Sequence, residues 1–298
     1  KVLDPLTILL TLNEPFPEFL RYMTQEDAPG AHVYISPAAL QTHGNDGIAD
    51  HAPGTGPFRF DSRISTRFGS GVRLVRNNDY WDGPSRLSGI EFKPYPKLED
   101  RFEALLKGEA DLAYGLEGSD LDALAQRGFV VVESKAPYVW YFIFNMRDPV
   151  LRDIRVRRGI AHAIDRDTLS NEIFRGHTDV ASGMLPPASP AFDAEYRFPY
   201  AYDRERAREL LTEAEIASDW RLRIVTAKAG SGQLVPVRIC EYLAESLEAV
   251  GLRTEIAQTE DWVSYCKDWR SGLPVGVGVS QMSWGMSCDL WLQQVLHS

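Results

Sequence analysis

Cysteine is scarce in this sequence: Cys240, Cys266 and Cys288 lack the short paired spacings of a zinc site or a disulfide framework. Long apolar runs are missing too. Stretches such as 139–144 fall far short of the roughly 20 residues that a bilayer-spanning helix needs, so no transmembrane helix is expected. Positive charge is in deficit, with 32 Lys and Arg against 42 Asp and Glu and a formal net charge of −10. Such a surface repels a phosphate backbone on average, and nucleic acid is not an expected partner. The densest basic run, Arg152, Arg155, Arg157 and Arg158, has Asp148, Asp153 and Asp165 interleaved with it and reads as a solvated helix face.

Signatures of catalysis are absent in the same way. There is no Gly-x-x-x-x-Gly-Lys-[Ser/Thr] phosphate loop. The segment Gly54-Thr55-Gly56-Pro57-Phe58 lacks the lysine, and its proline removes a backbone donor, so it reads as a turn into a strand. No Gly-x-Ser-x-Gly elbow occurs, and the six histidines form no His-Glu-x-x-His pair. A loop holding His43, Asp46, Asp50 and His51 offers donors for a divalent ion, but turn-forming Asn and Asp explain it more simply. Glu99, Asp100, Glu103 and Glu109 read as helix carboxylates facing water. No catalytic residue, metal or cofactor is expected.

What the chain does have is size. At 298 residues it exceeds the length at which a single core stops growing, which predicts two lobes. Hydrophobic residues at 44% and charged residues at 25% fit an ordinary globular protein. Strands are expected at 6–12, 72–76, 90–94, 110–114, 129–132 and 138–145, with helices at 16–23, 99–106, 121–126, 154–163 and 166–174. The stretch 28–51 reads as loop, and 182–190 as a Pro-rich surface loop. Asp165 and Asp203 stand where N-caps are needed, the latter before a helix at 203–215. Strand 222–226, helix 234–250, strand 252–256, helix 262–270 and strand 275–284 then make a βαβαβ unit. Such units have parallel strands, with ligands gathering at their carboxyl ends.

Binding pockets combine apolar walls with a few placed polar groups, which directs attention to the tryptophans. Trp81, Trp220, Trp262 and Trp269 fall in loop or helix positions suited to packing. Trp140 and Trp284 sit on or at the end of expected strands, where ligand contact and core packing are both open readings. Gly285, next to Trp284, would let a ligand approach the backbone.

Five segments in register resemble the solute-binding protein family 5, which contains oligopeptide-, dipeptide- and nickel-binding receptors of ABC transporters. They are Gly54-Thr55-Gly56-Pro57-Phe58, Asn78-Asp79-Tyr80-Trp81-Asp82-Gly83-Pro84, Leu106-Lys107-Gly108-Glu109-Ala110-Asp111, Asn145 with Asp153-Ile154-Arg155-Val156-Arg157-Arg158 and Ala163-Ile164-Asp165-Arg166, and Tyr202-Asp203 through Leu210-Leu211. Arg204 stands where that last motif usually has proline. The resemblance implies an α/β, two-lobed periplasmic-binding-protein-like architecture of type II, incomplete here. It divides the chain into a partial first lobe at 1–137 (1–52 the end of its extra subdomain, 53–137 its sheet part), a hinge strand at 138–145 and a second lobe at 146–298. The chain is expected to be truncated at both ends, with any signal segment outside it.

The function so implied is that of an extracytoplasmic receptor of an ABC importer, periplasmic or a cell-surface lipoprotein. It captures a peptide-like or other small ligand by closing its lobes and hands it to a membrane permease. A monomer is expected. The candidate ligand residues are Tyr114, Gly115 and Glu117 in the first lobe, Tyr138, Trp140 and Asn145 on the hinge side, and Trp284, Gly285, Met286 and Asp289 in the second. Peptide binders of the family commonly carry an aspartate for the peptide amine where this chain has Ser287, with Asp289 two residues on, so that charge partner is missing at its usual place. The alternative is a ligand-sensing domain of a transcriptional or signalling regulator. A hydrolase would need a nucleophile and base pairing that the sequence does not show.

Overall fold

The computed structural model describes residues 1–17, 19–22, 35–51, 54–133, 138–187, 189, 191–230 and 232–285. It begins with β1 (Val2–Asp4), β2 (Thr7–Ile8), α1 (Phe19–Tyr22) and α2 (Pro37–His51). The antiparallel β1–β2 hairpin replaces the longer strand expected at 6–12, whose apolar residues Leu6, Leu9 and Leu10 stay exposed. The loop expected before His51 is instead helical from Pro37, with a non-helical Gly44 (φ 67°) marking a kink. Glycine reaches that φ without a Cβ clash, which lets two short helical stretches join.

A three-stranded antiparallel meander follows, made of β3 (Phe58–Thr66), β4 (Gly69–Arg76) and β5 (Gly89–Phe92) in that order. Its entry is fixed by Asn77, a buried side chain that donates from Nδ2 to Gly56 O at 3.0 Å and accepts from Asp79 N at 3.1 Å. The Asn77 amide donates to Pro57 O at 2.9 Å. The Gly-Thr-Gly-Pro and Asn-Asp-Tyr-Trp motifs are therefore two halves of one backbone lock. Arg73 crosses the β4–β5 pair to Glu91 at 2.7 Å. Next come α3 (Leu98–Leu106) and α4 (Gly118–Gln126). Gly108 (φ 68°) ends α3 as expected, its amide donating to Leu105 O. The expected strands at 110–114 and 129–132 are irregular chain, with Leu112, Val130 and Val132 each at least 80% exposed. Strand-forming side chains yield a strand only where another strand supplies hydrogen-bond partners.

The rest of the chain is β6 (Tyr138–Phe144), α5 (Ile154–Ala163), α6 (Arg166–Phe174), α7 (Arg204–Glu213), β7 (Leu222–Ala227), α8 (Pro236–Glu248), β8 (Thr254–Thr259), α9 (Trp262–Arg270) and β9 (Val279–Gly285). The sheet order is β6-β9-β7-β8, with β7 parallel to both β8 and β9 and β6 antiparallel to β9. One face packs Leu222, Ile224 and Val279 against Cys240, Leu243 and Leu247 of α8, with Val156, Ile160, Ala207 and Leu211 behind them. Burying each such leucine or isoleucine stabilises the fold by about 1.5–3 kcal/mol. Gly159 is needed where α5 crosses α7, since a Cβ there would lie 2.9 Å from the Leu211 side chain. The other face packs Ala227 and Met282 against Tyr265, Trp262 and Trp269.

Cα proximity separates two compact units, Lys1–Tyr114 and Gly115–Ser298. Among the described residues no helix is long and apolar enough to cross a membrane.

Candidate ligand site at the carboxyl ends of the parallel strands

The parallel strands β7, β8 and β9 end at Ala227, Thr259 and Gly285, and strand polarity puts all three ends on one edge of the sheet. Because β6 runs the opposite way, its beginning lies on the same edge, with Tyr138 opposite Gly285, Val139 opposite Trp284 and Trp140 opposite Ser283. Four sequence candidates, Tyr138, Trp140, Trp284 and Gly285, are therefore neighbours on two strands. Met286 and Asp289 lie outside the described residues.

The loop from β7 into α8 builds the edge further. Buried Ser283 accepts from Gln233 Nε2 at 2.7 Å and donates to Gly232 O at 2.7 Å, which ties that loop to β9. Gly232 has φ 72°, and a Cβ on it would come within 2.5 Å of the Tyr138 ring. At Gly230 a Cβ would come within 2.3 Å of Trp262. Glycines at these two places let the backbone close over aromatic rings. Val235 is at φ 40°, a strained setting for a β-branched residue and one that concentrates at functional loops. Lys228, just past β7, is paired with Glu260. None of these loop residues stood out in the sequence, apart from the general rule that ligands meet such strand ends.

Trp140 is partly buried against the cluster of Ile173, Phe174 and Ile239, with its ring centroid 6.1 Å from that of Phe174. Its indole Nε1 is buried and meets no hydrogen-bond acceptor among the described residues. The apolar part of the ring thus packs in the core while its donor stays uncommitted.

Of the remaining candidates, Asn145 lies away from this edge. Asn145 follows the other end of β6, about 23 Å along the strand from Tyr138. It is buried, donates from Nδ2 to Val277 O at 2.8 Å and Pro274 O at 3.2 Å, and accepts from Arg147 N at 3.1 Å. Both of its amide donors hold the entry to β9, and its oxygen holds the turn after β6. Tyr114 is 86% exposed and closes the first unit, its carbonyl accepting from Arg101. Gly115 (φ 71°) opens the second unit, and Glu117 pairs with Arg238 on the first turn of α8 at 3.1 Å. In the first unit a cleft of about 480 Å³ lined by Ser65, Arg67, Lys93, Tyr95 and Glu109 contains none of the candidates.

Residues 1–287 match the family model described as bacterial extracellular solute-binding proteins, family 5 Middle. The chain belongs to this family. Among curated proteins it is 29% identical over 258 residues to the glutathione-binding protein GsiB of Salmonella paratyphi A, covering 86% of this chain and 48% of GsiB. Among solved structures it is similar to the periplasmic binding protein DppA from Helicobacter pylori in complex with the peptide STSA. That match has a TM-score of 0.77 and 23% identity, and it covers 95% of this chain and 54% of DppA. A dipeptide-binding protein from Pseudoalteromonas sp. SM9913 in complex with Met-Leu aligns with a TM-score of 0.73 at 23% identity, over 91% of this chain and 52% of the other. The fold is thus the two-lobed α/β architecture of periplasmic peptide-binding proteins, and the chain spans about half the length of the relatives it matches.

Proposed function

We propose that the chain is the ligand-binding part of an extracytoplasmic receptor for an ABC importer, taking short peptides or a peptide-like molecule such as glutathione. The observation that carries this reading is the family match over residues 1–287. The curated relative above binds glutathione by name and the two structural relatives are in complex with peptides, which supports this ligand class. Capture is by closure of the lobes: the ligand binds the closed form better and draws the equilibrium toward it. Delivery to a membrane permease, a monomeric state, an extracytoplasmic location and the absence of catalysis belong to the same proposal. So does a hinge at 138–145. The comparisons lend no support to a regulator.

At the strand ends, the uncommitted Trp140 Nε1 supplies a donor for a ligand carbonyl or carboxylate oxygen, Tyr138 supplies an aromatic wall, and Gly285 leaves the backbone open. Tyr114, Gly115, Glu117, Trp284, Met286 and Asp289 remain assigned to the ligand. With Ser287 at the usual acidic position, the ligand amine is held differently from that of a standard peptide. Calorimetric titration of the full-length protein with glutathione, dipeptides and tetrapeptides should give saturable one-to-one binding to at least one. Trp140→Phe keeps the packing and removes the donor, and should weaken that ligand about tenfold, the value of one good hydrogen bond. Gly232→Ala, which drives a methyl into Tyr138, should weaken it as well. No binding across the panel would sink the peptide reading.

A further inference from the structure

The face of the β6-β9-β7-β8 sheet that lies under α8 changes character along its strands. Its inner row, Ile224, Val279 and Phe144, is apolar and packs with the main core. Alternate residues of a strand share a face. The rows that follow toward the ligand edge are therefore Thr226 and Gln281 beside Phe142, then Ser283 beside Trp140, then Gly285 beside Tyr138. Thr226, Gln281 and Ser283 are 0%, 1% and 4% exposed, so a polar seam runs inward from the edge beneath the helix. It carries no ionised side chain. The charges on the flanking elements are matched to each other, Lys228 with Glu260 and Arg238 with Glu117.

Buried polar groups are normally satisfied, and most of this seam is. Thr226 donates from Oγ1 to Gln281 Oε1 at 3.2 Å, and Ser283 is tied to Gln233 and Gly232 at 2.7 Å each. Gln281 Nε2 is an exception: it is buried and meets no acceptor among the described residues, as is true of Trp140 Nε1. An apolar side chain of the same shape would cost the core less. Departures of this kind from good packing sit where a protein binds something. Gln281 lies two residues inward from Ser283, roughly 7 Å along β9, a depth suited to an extended ligand side chain rather than to ligand backbone. We propose that Gln281 is a specificity residue whose Nε2 donates to the oxygen of a neutral side-chain amide, as in glutamine, carried inward from the strand edge. The assignment rests on the peptide reading above and narrows it. A carboxylate drawn into the seam would lose its hydration and meet no cation, and an apolar side chain would leave Nε2 unserved.

Full-length protein is compared as wild type and Gln281→Met, which keeps the unbranched shape and removes the amide. Calorimetric titration uses dipeptides of alanine with glutamine, glutamate or methionine, with the alanine at either end. In the better of the two orders, the wild type should bind the glutamine peptide about tenfold tighter than the other two. Gln281→Met should reverse the ranking of glutamine and methionine. Urea unfolding without ligand gives an independent reading: Gln281→Met should unfold at the same urea concentration as wild type or a higher one. A lower midpoint would overturn the proposal by showing that the amide holds the core. So would a wild type indifferent to the three side chains, or a ranking that survives Gln281→Met. If no dipeptide binds at all, the peptide reading falls and takes this assignment with it, whereas binding without preference overturns the assignment alone.

Discussion

Asn145 and Cys240 show how far one side chain's role depends on its partners. The Asn145 amide donates to the carbonyls of Pro274 and Val277 and thereby pins the turn that feeds β9. Asn145→Ala leaves buried acceptors unserved and should cost about 1–3 kcal/mol in urea unfolding. Asn145→Asp should cost more, because its carboxylate oxygens would face the same two carbonyls. An Asn145→Ala variant that unfolds like wild type would show that the turn holds without the amide. Burial pushes the Cys240 thiol up to about 12, while burial also raises Cys266. At pH 8 roughly one Cys240 in 10,000 is then thiolate, the reactive form. Iodoacetamide at pH 8 should label Cys266, which is partly exposed, and reach Cys240 only at the rate of unfolding, as read by peptide mass spectrometry. Early labelling of Cys240 would contradict its burial between α8 and the sheet.

Helix termini govern the next scale. Asp153 caps α5 through Arg155 N, Asp165 caps α6 through Thr168 N, Asp203 caps α7 through Arg206 N, and Asp261 caps α9 through Val263 N. Hydrogen bonding from the Arg155 side chain holds the Asp153 carboxyl below its ordinary value, and the Ser264 hydroxyl chiefly does the same for Asp261. A depressed carboxylate stabilises the fold fully above its unfolded value near 4 and loses that contribution as pH falls through the folded value. The thermal midpoint should therefore fall on acidification below about pH 4. Asp153→Asn and Asp261→Asn, which keep capping oxygens without the charge, should shrink the fall, and an acid limb that they leave unaltered would place its origin in other groups. Asp165→Ala should cost about 0.5–2 kcal/mol, since it removes the bond to Thr168 N and another to the Thr168 hydroxyl. The Asp165 cap made α6 legible to within a residue, the spans expected for α5, α9 and β7 fall equally close, and the continuous apolar run at 138–144 marks β6. The strands expected at 110–114 and 129–132 were misread because β-forming side chains do not disclose whether a partner strand is present. Before His51 the Asn, Gly and Asp residues favour turns, yet the backbone kinks at Gly44 and continues as helix, because one glycine absorbs the change of direction. For the site, Tyr138, Trp140, Trp284 and Gly285 could be marked from the sequence because strand ends are legible. Gly230, Gly232, Gln233 and Ser283 could not, because their contacts depend on which loop closes over which ring. Asn145, assigned to the hinge side from its place in a motif, is committed to backbone.

At the scale of the whole chain the two units differ in what holds them. Among the described residues, the buried apolar side chains of Lys1–Tyr114 are Ala104 and Leu105, whereas Gly115–Ser298 has a continuous core from Leu151 and Val156 through Leu222, Leu243 and Val279. Trp81, Leu87, Phe92 and Leu112 of the first unit are each more than half exposed. The β3–β4–β5 meander therefore depends on its ladder hydrogen bonds and on cross-strand pairs such as Arg73 with Glu91, which are individually weak because solvent screens them. Local opening follows buried apolar contact, so the meander should open far more readily than the β6-β9-β7-β8 sheet. In hydrogen exchange on this 298-residue chain, amides of β4 should exchange at least about a hundredfold faster than those of β7 and α8, a gap of about 2.7 kcal/mol in opening free energy. Equal protection of β4 and β7 in the chain as it stands would mean that the exposed apolar faces of the first unit cost it little, and that its ladder alone holds it together.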